Sequence, residues 1–76
     1  MDKIKFSVIG FGHIGRRHAT ILSKFTEAVL TGIADVDPAK AKEPLYPKGV
    51  PFCNSAEDLF KAGLQGDVVS VCTPNG

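Results

Sequence analysis

Gly10, Gly12 and Gly15 form a Gly-x-Gly-x-x-Gly run, and Asp35 follows 20 residues beyond the last of them. Side-chain-free positions at a helix start leave backbone N–H groups bare, and bare N–H groups there hold an anion such as a pyrophosphate. A carboxylate at this interval accepts from the 2′ and 3′ hydroxyls of an adenosine ribose. The chemistry is therefore that of dinucleotide binding. Gly10 permits the tight turn, Gly12 lets the backbone approach the diphosphate, and Gly15 lets the helix pack closely on the strand. A 2′-phosphate would meet like charge at Asp35. Each unit-charge pair about 4 Å apart costs about 4 kcal/mol at an effective dielectric near 20. Val36 brings no compensating positive charge, so the residue types favour NAD. Lys40 and Lys42 are close enough in sequence to keep NADP open. The competing reading is a phosphate-free turn that needs glycine only for its shape, with Asp35 and Asp37 as turn residues.

These residues need a strand before them and a helix after them. Ile4 to Ile9 reads as the strand. A helix from Gly12 or His13 to Phe25 follows, with Ile14, His18, Ile21, Leu22 and Phe25 on one face. Ala28 to Ala34 reads as a second, largely buried strand ending at Asp35. Asp37 before Pro38 starts a short helix, which Pro44 limits. Pro44, Pro47, Gly49 and Pro51 mark an irregular connection. Val50 to Cys53 is at most a short, peripheral third strand. Ser55 to Asp58 resembles a capping box, and Gly63 with Leu64 suits a Schellman ending against Leu59. Val68 to Cys72 is a fourth strand, stopped by Pro74. Alternation of this kind predicts an α/β fold, a Rossmann-type doubly wound parallel sheet in the order 3-2-1-4.

In such a sheet the ligand crevice opens at the carboxyl ends of strands one and four. Thr73, Pro74 and Asn75 stand on the strand-four side, as cofactor contacts or as an ordinary polar loop. His13 lies within the glycine turn. His18 reads as a hydrogen-bonded core histidine. Arg16 and Arg17 occupy the helix's first turn, where one could reach a phosphate. The spacing of His13, His18, Cys53 and Cys72 matches no zinc pattern. No nucleophile–base pair is visible, so no catalytic residue is assigned.

Composition agrees with a soluble domain: 43% of the 76 residues are hydrophobic and 22% charged. Nine Lys and Arg oppose eight Asp and Glu, for a formal charge of +1. That balance gives no electrostatic footing for a nucleic acid or a membrane surface. No apolar run approaches the roughly 18 residues of a membrane span. Cys53 and Cys72 read as reduced, buried thiols of a cytoplasmic protein.

The stretches Val8-Ile9-Gly10-Phe11-Gly12-His13-Ile14-Gly15-Arg16-Arg17-His18-Ala19, Ala34-Asp35-Val36-Asp37-Pro38 and Asp67-Val68-Val69-Ser70-Val71-Cys72-Thr73-Pro74-Asn75 resemble the N-terminus of the glucose–fructose oxidoreductase/inositol dehydrogenase/MocA family. Gly15 to His18, as Gly-x-x-His, and Thr73-Pro74-Asn75 are its more specific parts. The resemblance implies an NAD(P)-dependent oxidoreductase acting on a sugar, cyclitol or sugar-nucleotide hydroxyl. It makes Gly10, Gly12, His13, Ile14, Asp35, Thr73, Pro74 and Asn75 cofactor contacts, with Gly15 completing the motif. It also implies that a Glu-Lys-Pro motif, an Asp/His pair and a substrate domain lie beyond Gly76. Residues 1–76 then form an incomplete N-terminal NAD(P)-binding Rossmann domain, inactive alone, with homo-oligomerisation left open. The alternative is a non-catalytic dinucleotide-sensing or binding module. A lysine after a downstream apolar strand would favour the enzyme, and a DNA-binding motif the sensor.

Overall fold

A computed structural model describes residues 3–22, 24–44 and 46–72. Within them lie strands β1 (Ile4–Ile9), β2 (Ala28–Ala34), β3 (Phe52–Cys53) and β4 (Val68–Val71). Helices α1 (His13–Leu22) and α2 (Ala56–Lys61) and a 3₁₀ helix (Pro38–Lys42) connect them. The strands form one parallel sheet in the order β3-β2-β1-β4, as the alternation predicts. β1 is thus an inner strand with a partner on each side. Phe6, Ser7 and Val8 are buried in succession because helices cover both faces of a parallel sheet. Ser7 is satisfied there by donating to Gln65 O at 2.9 Å.

The caps behave as their residue types dictate. Asp37 accepts from the Ala39 N–H, with Pro38 at the first helical position. Ser55 Oγ accepts from the Asp58 N–H at 3.1 Å. The Leu64 N–H donates to Leu59 O, and the Gly63 N–H to Phe60 O, which together complete a Schellman ending.

Three elements depart from expectation. α1 ends at Leu22 rather than Phe25, and the Lys24 N–H then donates to Ile21 O in a tighter turn. Ile21 and Phe25 are exposed, while Ala19 is buried. Among the described side chains of the helix, the buried ones are the small residues Gly15 and Ala19, four apart, which permits a close approach to the sheet. β3 is shorter than Val50–Cys53, because Pro51 enters the ladder only through its carbonyl, accepting from the Ile33 N–H. β2 carries a bulge that no periodicity announces. Phe6 pairs with Leu30 and Ser7 with Gly32, so Thr31 is the extra residue. Its hydroxyl satisfies itself on Phe6 O. Past the bulge, Gly32 admits the end of α2: a Cβ there would lie 3.1 Å from Leu64 Cβ.

Phe6, Val8, Phe11, Ala19, Ile33 and Cys72 make one core, with Tyr46 and Phe52 packed against it. Cys53 and Cys72 are free thiols, Cys72 buried as expected but Cys53 only half-buried, at the sheet edge. Among the described residues, no helix is long and apolar enough to cross a membrane.

Candidate dinucleotide site

β1 delivers the chain to Gly10, whose φ of +92° lies in the left-handed region that a side chain disfavours. The Gly10 N–H donates to Ala34 O at 2.7 Å, which ties the turn to the end of β2. Gly15 comes so close beneath that a Cβ on it would lie 1.9 Å from Gly10 O. Glycine there is a steric requirement. A Cβ on Gly12, by contrast, would meet nothing within 4 Å. Gly12 is bare toward open space, and it lines a cleft. α1 starts at once, and its first N–H groups have no partner inside the helix. No acidic residue in its first turn offsets their partial positive charge.

Asp35 closes the other side. Its Oδ2 accepts from the Phe11 N–H at 2.7 Å, and its Oδ1 from the Asp37 N–H at 2.9 Å. One carboxylate thus bridges the glycine turn and the exit from β2. Each oxygen keeps a second acceptor direction for a hydroxyl. The Asp35 N–H donates to Cys53 O at 3.0 Å, so β3 also fixes the acid's backbone. The cleft here holds about 370 Å³ and is lined by Gly10, Gly12, Asp35, Val36, Lys40 and Ser55 among others. That volume is in the range of small-molecule sites. The glycine turn, the bare wall at Gly12 and the fixed carboxylate fit a dinucleotide's diphosphate and adenosine ribose.

Residues 4–76 match an oxidoreductase family with an NAD-binding Rossmann fold, that of glucose–fructose oxidoreductase, inositol dehydrogenase and MocA. The chain belongs to that family. Inositol 2-dehydrogenase of Rhizobium meliloti is 32% identical over 71 residues, which are 93% of this chain and 21% of the relative. The WlbA dehydrogenase of Chromobacterium violaceum, solved with NADH and UDP-GlcNAcA, superposes with a TM-score of 0.84 at 32% identity, over 97% of this chain and 21% of that one. The scyllo-inositol dehydrogenase of Lactobacillus casei, solved with NAD(H) and scyllo-inositol, gives a TM-score of 0.75 at 30% identity, over 99% and 22%. The chain therefore spans about a fifth of each of these relatives.

Of the residues singled out in the sequence of this family member, Gly10, Gly12 and Asp35 gather around the cleft. Gly15 sits behind the turn and shapes it. His13 and Ile14 provide the backbone of α1's first turn. Thr73, Pro74 and Asn75 lie outside the described residues. His18 is not a core residue: it is exposed, and its Nδ1 lies 3.0 Å from Ser70 Oγ and 3.7 Å from Cys72 Sγ. It leaves the core because α1 turns Gly15 and Ala19 toward the sheet, which places residue 18 beside β4. There it ties α1 to β4 through Ser70.

Two participants escaped the sequence reading. Phe11, between two turn glycines, is buried, and its N–H holds Asp35. A bulky apolar residue in an otherwise bare loop was the available signal. Tyr46, from the irregular connection, packs edge-on against Phe11 with ring centroids 5.4 Å apart. Burial, with added repulsion from Cys53, pushes its phenol up to about 12. Burial and then Asp58 push the Cys53 thiol up as well.

Proposed function

We propose that this chain supplies the NAD-holding part of an oxidoreductase that transfers a hydride between the nicotinamide cofactor and a sugar, cyclitol or sugar-nucleotide hydroxyl. The observation that carries the reading is the Asp35 carboxylate, held by two backbone N–H groups in a cleft that it lines together with Gly10 and Gly12. In this reading Gly10, Gly12, His13, Ile14 and Gly15 supply or shape the diphosphate cradle, and Asp35 accepts from the ribose hydroxyls. Thr73, Pro74 and Asn75 contact the nicotinamide side. The cofactor, when bound, takes up or gives the hydride, and the chain fixes where it sits. The substrate class is supported by the family and by the inositol and UDP-GlcNAcA ligands of its structural neighbours. Residues 1–76 act as one nucleotide-binding unit, with catalytic groups and a substrate domain from further chain. Free thiols at Cys53 and Cys72 suit a reducing compartment, and we place the protein in the cytoplasm.

Titration of the full-length protein with NADH and with NADPH, followed by nucleotide fluorescence, tests this. NADH is expected to bind more tightly. Asp35→Ala is expected to weaken NADH by about 10-fold or more, the equivalent of a charged hydrogen bond at about 1.5–3 kcal/mol. Equal affinity for both nucleotides, or none for either, would refute the assignment. Coupled reduction of NAD by inositols or UDP-sugars then identifies the substrate.

A further inference from the structure

The connection between the 3₁₀ helix and β3 reads in the sequence as a linker, yet one of its side chains reaches the glycine turn. Tyr46 sits between two aromatic rings, Phe11 at 5.4 Å and Phe52 at 6.0 Å, both met edge-on. Its hydroxyl donates to Val50 O at 2.8 Å, and its N–H donates to Glu43 O. The tyrosine is therefore fixed at ring, hydroxyl and backbone. Pro44, Pro47 and Pro51 stiffen the strap that carries it. What it presses on is the wedge of the glycine turn. Phe11 is 1% exposed, so its ring has no room to move independently of its neighbours. The same residue's N–H is one of the two anchors of the Asp35 carboxylate.

We propose that Tyr46 is a specificity-setting positioning residue: through Phe11 it holds Asp35 where a free 2′-hydroxyl is accepted and a 2′-phosphate is rejected. The proposal rests on the NAD-binding reading above. Asp35 has a second anchor, the Asp37 N–H on Oδ1. If Phe11 shifts, the carboxylate keeps that bond and gains freedom to turn about it. Ribose hydroxyls then lose a fixed acceptor, while a 2′-phosphate meets a charge that can swing away. Loosening Tyr46 thus acts unequally on the two cofactors, whereas general damage to the core would weaken both alike.

The test is the ratio of NADPH to NADH dissociation constants, measured on the folded full-length protein well below its melting temperature. Tyr46→Leu is expected to lower that ratio by about fivefold or more, mainly through weaker NADH binding, since fivefold corresponds to about 1 kcal/mol. Tyr46→Phe keeps the ring and is expected to hold the ratio within about twofold. Should Tyr46→Leu fail to fold, Phe52→Leu removes the outer ring instead, and a smaller fall in the same direction is expected. An unchanged ratio in the folded variants, or equal losses for both nucleotides, overturns the proposal while leaving the NAD assignment intact. If the wild-type protein binds neither nucleotide, both fall together.

Discussion

At the residue scale, two glycines three apart have opposite reasons to lack a side chain. Gly15 faces protein, where a Cβ would collide with Gly10 O, and Gly12 faces empty cleft. Alanine at each position therefore separates folding from binding. Gly15→Ala is expected to destabilise the protein by about 1–3 kcal/mol or more, as overpacking does, and to abolish NADH binding along with the turn. Gly12→Ala is expected to leave the thermal midpoint nearly unchanged while weakening NADH by about 10-fold, because its methyl occupies the space left for the diphosphate. Thermal unfolding and NADH titration of both variants check this. Equal effects on stability would contradict the geometry. Asp35 is an internal tie and is free for the ligand-accepting role proposed above, because a carboxylate has more acceptor directions than its two amide partners use.

At the element scale, the strap carrying Tyr46 is the piece whose importance exceeds its secondary structure. Its phenol titrates in a way that reports on its packing. The ordinary value is 10.0, and burial raises it to about 12 in the fold. The folded state thus holds the phenol proton more tightly than the unfolded chain does. This contribution to stability is complete below pH 10.0 and is lost as pH rises through about 12. The expected outcome is that wild type loses stability relative to Tyr46→Phe across this interval, measured as the difference in thermal midpoint between the two proteins. A constant difference would show that the phenol is not desolvated. α1 and α2 differ in how they meet the sheet. α1 approaches on Gly15 and Ala19, and α2 with the turn after it seats Leu59 and Leu64 against Gly32, where a bulge sets the register.

At the scale of the whole molecule, the parallel order brings the carboxyl ends of β1, β2 and β3 to one edge, so the turn, the acid and Ser55 meet at the cleft from three separate stretches. In the proposed reading the described cleft takes the adenosine and diphosphate side of the cofactor. ADP-ribose is therefore expected to displace NADH and to raise the thermal midpoint, and nicotinamide mononucleotide to do much less. At 100-fold excess over its dissociation constant, a ligand of the folded state adds about 2.7 kcal/mol. Competition titration and thermal shift with the two half-cofactors check this. The strands, their order, the caps and the residues Gly10, Gly12, Gly15 and Asp35 were legible in the sequence, because period, turn chemistry and glycine spacing are local. The exposure of His18, the end of α1 at Leu22, the bulge at Thr31 and the alliance of Tyr46, Phe11 and Asp35 were not. Each depends on which distant surfaces meet: Phe11 and Tyr46 are 35 residues apart, and only their packing against one sheet face puts the two rings in contact.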